Sequence, residues 1–487
     1  MTASNVVLLV MDTARASESF EIFDEPAKTF DGETLSSTSS HYTQIFASAP
    51  WTLPSHASLF TGTTPSYHGA HAGHKHLDDT QITLPEVLAD NGYETVAASN
   101  NTWISEEFGF NQGFETFYKA WQYIQSDNDL GKIARQEEGF KKFTKVTRAL
   151  FDGNPVTNLA NAIYGQFLRK NEDDGAAQTN EWINNWLTER DESQPFFLFV
   201  NYLEPHLEYR PIERHTNQYL PEGVDYDQAM AVSQDAWGYI AGEVNMSNRD
   251  WEILQALYRA EISYIHEQIE SVIEMLKAED EWEDTLFIVT GDHGENIGDH
   301  GLMDHQYALY DTLIHVPLFV NGGPFDNRKI DDLVQLIDIP ATILDVLDID
   351  APEAREQFQG RSFHPDRDEK RDYAFAEYLA PQPSMEALEK RVGDLPEKVY
   401  EYDRSLRAIR SHNWKLIRGS DGSIELYHVA EDPGELKNLA SERPKKVSEL
   451  ESELDAWLDS FEHADATGGA DMSDATKDRL EDLGYLQ

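Results

Sequence analysis

Apolar residues run almost unbroken from Asn5 to Met11, from Pro195 to Tyr202 and from Thr285 to Thr290, as in strands covered on both faces of a largely parallel sheet. Further strands are expected at Tyr93–Ala98 and His315–Val320. Leu254, Tyr258, Ile262, Ile265, Ile269, Val272 and Leu276 recur at three and four residues and predict a long amphipathic helix over Trp251–Lys277. Shorter helices are predicted at Ser55–Phe60, Leu84–Asn91, Thr179–Leu187 and Leu333–Leu347, the last with Pro340 inside its pattern. From about Lys119 to Asn180 the pattern is helical and charged, which predicts an inserted cap. After about Asp366 the period changes. Tyr373–Tyr378, Ser405–Ser411, Trp414–Arg418 and Ile424–His428 read as short antiparallel strands, followed by a charged helix, Val447–Phe461, and a final segment, Lys477–Tyr485. The expected architecture is α/β: a catalytic domain over 1–365, with a helical insert at 119–180, and a smaller α+β domain over 366–487.

Composition narrows the function classes. With 89 acidic against 39 basic residues the formal net charge is −50, which repels nucleic acid and anionic membranes. An anionic substrate must then be drawn in by local positive charge or by a metal. The acids are scattered rather than gathered in a tail, a surface suited to high salt, and this predicts the cytoplasm of a halophile. There are 0 cysteines, hence no disulfide, thiolate metal site or cysteine nucleophile. No apolar run approaches the ~20 residues of a spanning helix, and Val6–Met11 is too short for a signal-peptide core, so a soluble protein without an integral membrane segment is expected.

The candidate chemistry lies where the strands stop. Asp12 follows the first, Leu203-Glu204-Pro205-His206 the one ending at Tyr202, and Gly291-Asp292-His293-Gly294-Glu295 the one ending at Thr290. Asn101 and Thr102, after Tyr93–Ala98, are neutral donors for a ligand's oxygens. In Pro50-Trp51-Thr52-Leu53-Pro54-Ser55, Thr52 stands at a rigid turn opening a helix, where backbone N–H groups favour an anion. Strand ends on one edge of a parallel sheet converge in space, so these residues can form one site. Asp and His together suit Zn²⁺ or Mn²⁺ better than an all-oxygen ion, with Mg²⁺ or Ca²⁺ as alternatives. A divalent ion held by Asp12, Asp292 and His293 would lower the pKa of the Thr52 hydroxyl and neutralise an oxygen of the ester under attack. A nearby histidine could protonate the departing oxygen. His300, Asp304 and His305 share a glycine-bearing loop. His71, His74 and His76 are irregularly spaced in a Gly/Ala loop, which is read as loop rather than metal site.

At these residues the chain resembles the sulfatase family of the alkaline phosphatase superfamily. The resemblance rests on Asn5–Asp12, Thr52–Gly62, Tyr202–His206, Tyr258–Glu295, Asp304–Val320 and Asn413-Trp414-Lys415-Leu416-Ile417. Glu425-Leu426-Tyr427, Asp432-Pro433-Gly434-Glu435 and the closing Leu480–Leu486 extend it. It implies the family's mixed sheet between helices and a small C-terminal antiparallel sheet beside the site. The departures bear on the chemistry. Sulfatases resembling this chain carry a Cys or Ser, oxidised to formylglycine, where Thr52 stands, and an Arg where His56 stands. Their sulfate-binding lysine is missing from Asn100-Asn101-Thr102, their paired aspartates are Asp12-Thr13, and their Asp-Asn is Asp292-His293. The resulting set is similar to superfamily members that use threonine. The resemblance thus implies Asp12, Thr52, Asp292 and His293 as metal-site residues, Thr52 being also the nucleophile. It implies His206 and His305 as substrate-binding or acid groups and Asn101 as substrate-binding. The expected function is metal-dependent hydrolysis of phosphate or sulfate esters, the substrate being anionic and in one form glycan-linked, with phosphodiesters favoured. Transfer of a phosphorylated head group to a glycan or lipid, and binding of sulfated or phosphorylated glycans without turnover, stand as alternatives.

Overall fold

The computed structural model describes residues 3–25, 35–120, 173–368 and 370–464. Most of the predicted insert and the closing segment lie outside the described residues. The first strand, β1 (Asn5–Met11), is buried along its whole length and sits at the centre of an eight-stranded sheet. The other strands are β2 (Ser40–Phe46), β3 (Glu94–Ser99), β4 (Thr116–Lys119), β5 (Phe196–Tyr202), β6 (Thr285–Gly291), β9 (Leu318–Asn321) and β10 (Lys329–Gln335). Between β6 and β9 a two-strand hairpin, β7 (Asn296–Ile297) with β8 (Met303–Asp304), stands apart from the sheet. The sheet order is β10-β2-β9-β6-β1-β5-β3-β4. All neighbours run parallel except β9, which is antiparallel to both β2 and β6. The continuous apolar sequence of β1, β5 and β6 follows from this placement, since helices cover both faces.

The helices used below are α1 (Ala16–Phe23), α2 (Thr52–Thr61), α3 (Ala176–Glu189), α4 (Asn248–Ala278), α5 (Asp338–Val346) and α6 (Pro444–Leu458). Ser247 caps α4 through a reciprocal box with Asp250, a device worth about 1 kcal/mol. The predicted apolar stripe of α4 is buried, and the helix packs against α1 and α3. Two expectations change. Leu333–Gln335 belongs to strand β10, and the helix starts only at Asp338, so Pro340 falls in its first turn, where no intrahelical N–H is needed. The strands β2, β4 and the start of β10, at or near the sheet's edges, were not anticipated, because their faces are mixed.

A second, four-stranded antiparallel sheet, β11 (Ala374–Tyr378), β12 (Leu406–Arg410), β13 (Lys415–Gly419) and β14 (Ile424–Tyr427), forms the small C-terminal domain. Leu450 and Leu454 of α6 close one face of it over Ile409, Leu416 and Leu426. The other side packs Ala376, Leu406, Ala408 and Ile417 into the main core and is tied by charge to the segment that precedes β9. Lys415 Nζ, fully buried, lies 2.8 Å from Asp311 Oδ1 and 2.8 Å from Glu435 Oε1. Arg410 adds a 3.2 Å ion pair to Asp311, and the Asp311 amide donates to Glu435. Removing one partner of such a buried set leaves charges without compensation. Lys415→Met is expected to destabilise the protein by about 3–5 kcal/mol in denaturant unfolding; a loss below about 1 kcal/mol would mean the network contributes little.

Candidate metal-centred site

The C-terminal ends of β1, β3, β5 and β6 lie side by side, and each hands one side chain to the same place. Asp12 follows β1, Asn101 follows β3, His206 follows β5, and Asp292 and His293 follow β6. Thr52 is the first residue of α2, after an extended Trp51, so it stands at the positive end of the helix. All of these side chains are buried. Two backbone features make the approach possible. Thr13 adopts φ 63°, which lets its N–H donate to Asp292 Oδ1 at 3.1 Å while its carbonyl accepts from Tyr258. A Cβ on Gly294 would lie 2.0 Å from the Thr312 carbonyl oxygen, so only glycine fits directly after His293.

Asp12, Asp292 and His293 offer ligand atoms within 4.8 Å of one another. His293 Nδ1 lies 2.9 Å from the Gly294 carbonyl, which can only accept, so Nδ1 carries the proton and Nε2 the lone pair. That lone pair faces Asp292 Oδ2 at 3.4 Å and Asp12 Oδ1 at 3.6 Å. Neither of those carboxylate oxygens has a hydrogen-bond partner among the described residues. Burial, helped by the His305 charge, holds the His293 imidazole well below its ordinary value, so it stays neutral. Burial raises Asp292, and burial together with Asp292 raises Asp12. Three ligand atoms thus face one another, and the burial that raises both carboxyls is a penalty on their charged forms that a divalent cation would offset.

Thr52 Oγ1 lies 3.4 Å from His293 Nε2 and 3.5 Å from Asn101 Nδ2. Asn101 also donates to Asp12 Oδ2 at 2.5 Å and is itself held by the Trp103 amide, which donates to Oδ1 at 2.9 Å. His206 and His305 reach the group through their rings: His305 lies 4.6 Å from His293 between centroids, and His206 5.3 Å from His305. Burial, and after it the His305 charge, pushes His206 down to about 3. Burial opposes charge on His305 too, but Asp304 and Glu295 outweigh it and hold the imidazolium well above the ordinary histidine range.

Sequence reasoning assigned no role to His56, Glu295 and Asp304. His56 Nδ1 donates to the Thr52 carbonyl at 3.0 Å and lies 3.4 Å from Asp292 Oδ2. Burial pushes it down to about 4, so it is neutral and does not replace an arginine's charge. The signal for Glu295 was its place in the Asp292-His293 motif. His300 instead stacks on Tyr310 at 3.6 Å, and His74 and His76 pair with Asp78 at 3.0 and 3.3 Å.

Acid, histidine and hydroxyl groups thus gather at the parallel strand ends of an α/β fold and offer a place for a metal ion. Residues 4–349 match the family described as Sulfatase, and the chain belongs to that family, within the alkaline phosphatase superfamily. It is similar to arylsulfatase K of Bos taurus, at 24% identity over 93% of this chain and 81% of that protein. Its fold is similar to the phosphonate monoester hydrolase of Silicibacter pomeroyi, at 20% identity and TM-score 0.68, covering 94% of this chain and 96% of that one. It also resembles a protein solved in complex with its substrate D-glucosamine-2-N,6-O-disulfate, at 16% identity and TM-score 0.66, covering 94% of this chain and 98% of that one. Sulfatase-family enzymes use a divalent metal ion, typically Ca²⁺, and the acid–histidine group above offers it a place. No helix among the described residues is long and apolar enough to cross a membrane.

Asn101 fixes Asp12 from behind, as outer partners of metal ligands do. Asn101→Ala is expected to weaken binding of a divalent ion about 10–100-fold, read by calorimetry on chelated protein. An unchanged affinity would leave Asn101 with a substrate-binding role alone.

Proposed function

We propose that this sulfatase-family hydrolase cleaves phosphate or sulfate esters through Thr52, with phosphodiesters favoured over sulfates. The observation that carries the reading is the Thr52 hydroxyl, 3.4 Å from His293 Nε2, beside the converging acceptors. Asp12, Asp292 and His293 would hold a divalent ion, Zn²⁺ or Mn²⁺ suiting the mixed donors best. When bound there, the ion supplies Lewis acidity that lowers the pKa of the neighbouring hydroxyl and offsets the ester's negative charge.

Thr52 Oγ1 attacks in line with the departing oxygen. The Oγ1–P bond forms, Thr52 gives up its proton, and the bond to the departing oxygen breaks. That oxygen takes its proton from the His305 imidazolium, with neutral His206 beside it. Water then attacks phosphorus from the vacated side, giving a proton to His305; the Oγ1–P bond breaks, the phosphate product leaves, and Thr52 Oγ1 regains a proton from solvent. Asn101 orients Asp12 and steadies the Thr52 oxygen.

The preference for phosphorus follows from the nucleophile. Threonine lacks the oxidisable single-substituent Cβ from which a formylglycine is made, so a hydrate cannot expel sulfate from its own gem-diol. A covalent phosphothreonine is common enzyme chemistry, whereas a sulfated threonine would be slow to release its group. The solved relative with a sulfated glucosamine supports a glycan-linked ester as substrate. The net charge of −50 supports a high-salt setting, in which repulsion of an anionic ester is screened.

The test compares an aryl phosphodiester, phosphomonoester and sulfate in concentrated KCl, using chelated protein resupplied with Mn²⁺, Zn²⁺, Mg²⁺ or Ca²⁺. Phosphodiester turnover that needs the ion and falls about 10⁴-fold or more in Thr52→Ala is the expected result. Sulfate release dominating in the wild type, or full activity in Thr52→Ala, would overturn the reading.

A further inference from the structure

In a chain with 89 acidic and 39 basic residues, a lysine has every chance of meeting a carboxylate. Among the described residues, each other Lys or Arg that is not exposed pairs with an acidic side chain, and Lys75 does not. The loop that carries it shows why. His71 and His74 pair through their backbones at 3.0 and 2.9 Å, and the Leu77 amide donates to the Phe108 carbonyl at 2.9 Å, so residues 71–77 are held at both ends. The side chains flanking Lys75 share one carboxylate: His74 Nε2 lies 3.0 Å and His76 Nδ1 3.3 Å from Asp78 Oδ1. Lys75 lies instead over Trp103, its Nζ 5.1 Å from the ring centre.

Trp103 is buried and meets Trp51 edge-on, with 5.7 Å between centroids. Both rings adjoin the reacting groups. Trp51 directly precedes Thr52, and the Trp103 amide donates to Asn101 Oδ1 at 2.9 Å. The ammonium therefore flanks the turn that presents Asn101, while it keeps some contact with solvent. In the same turn the Thr102 hydroxyl is buried and has no hydrogen-bond partner among the described residues. A ring face attracts a cation through its quadrupole but does not neutralise it. Burial pushes Lys75 down to about 8, a penalty on its charged form that an anion from outside would offset. That anion is not the group under attack, which meets Thr52 Oγ1 beside Asn101 Nδ2, on the far side of the turn from Lys75.

We propose that Lys75 is a specificity-determining residue, receiving a second anionic group that the ester carries away from the bond attacked by Thr52. The proposal rests on the reading of Thr52 as the nucleophile, and it narrows the substrate class to esters with two anionic centres. A carboxylate, a sulfate or a phosphate monoester has the right charge and can accept from the ammonium. In a chain whose own field repels anions, one uncommitted cation also orients such a substrate, since its second charge is welcome at that place alone.

Two diesters with the same leaving group test this: p-nitrophenyl phenyl phosphate, and the same compound with a carboxylate on its phenyl ring, meta or para. Metal-loaded wild type, Lys75→Met and Lys75→Arg are compared at one KCl concentration, with circular dichroism to check folding. In Lys75→Met the KM for the carboxylated diester, relative to the plain one, is expected to rise about 10–100-fold, the scale of a lost charged hydrogen bond, while kcat moves far less. Lys75→Arg should recover most of the preference. Equal changes for the two diesters, or none for either, would overturn the proposal and leave Lys75 as packing on Trp103. Should the wild type turn over neither diester, the reading of Thr52 fails by itself. Calorimetric affinities of the same two compounds then decide on Lys75: a loss confined to the carboxylated one upholds the anion site, and an equal loss or none removes it.

Discussion

Two carboxyl oxygens and one imidazole nitrogen meet in a space closed to water. Asp12 Oδ1, Asp292 Oδ2 and His293 Nε2 turn toward one another; Gly294 fixes the imidazole tautomer, and burial keeps the ring neutral while it raises both carboxyls. Left alone, this arrangement is among the more costly things a fold can bury. The surroundings are built to keep it. Thr13 takes a left-handed backbone to donate to Asp292, Asn101 braces Asp12, and Ser55 donates to the Asp292 carbonyl at 2.6 Å.

The fold was legible in proportion to how completely each strand is covered. β1, β5 and β6 lie between helices, so their sequences are apolar without a break and mark themselves. β2, β4 and β10 are half covered, and their mixed residues imitate loops; β10 was absorbed into the apolar run of α5. The four C-terminal strands announced themselves by alternation, although each boundary moved by a residue or so.

In the site, the residues at strand ends could be read because topology alone brings parallel strand ends together. Thr52 was readable from its prolines and the helix that follows. Glu295 was not, since its partners arrive through a two-residue ladder, and nothing in the sequence of 298–305 fixes that register. His56 was noticed for the arginine it displaces; that its Nδ1 proton is spent on the Thr52 carbonyl follows only from the turn of α2.

The buried Lys415 carries a consequence of a mechanical kind. Asp311, which it grips, is only a few residues along the chain from His305, and Glu435 grips the same segment through the Asp311 amide. The wall of the site that bears His305 is therefore clamped at its far end by the small sheet, while the wall bearing Asp12 and Thr52 grows from the large one. The small sheet is therefore one of the supports of the site, holding the segment that follows His305 while the large sheet holds Asp12.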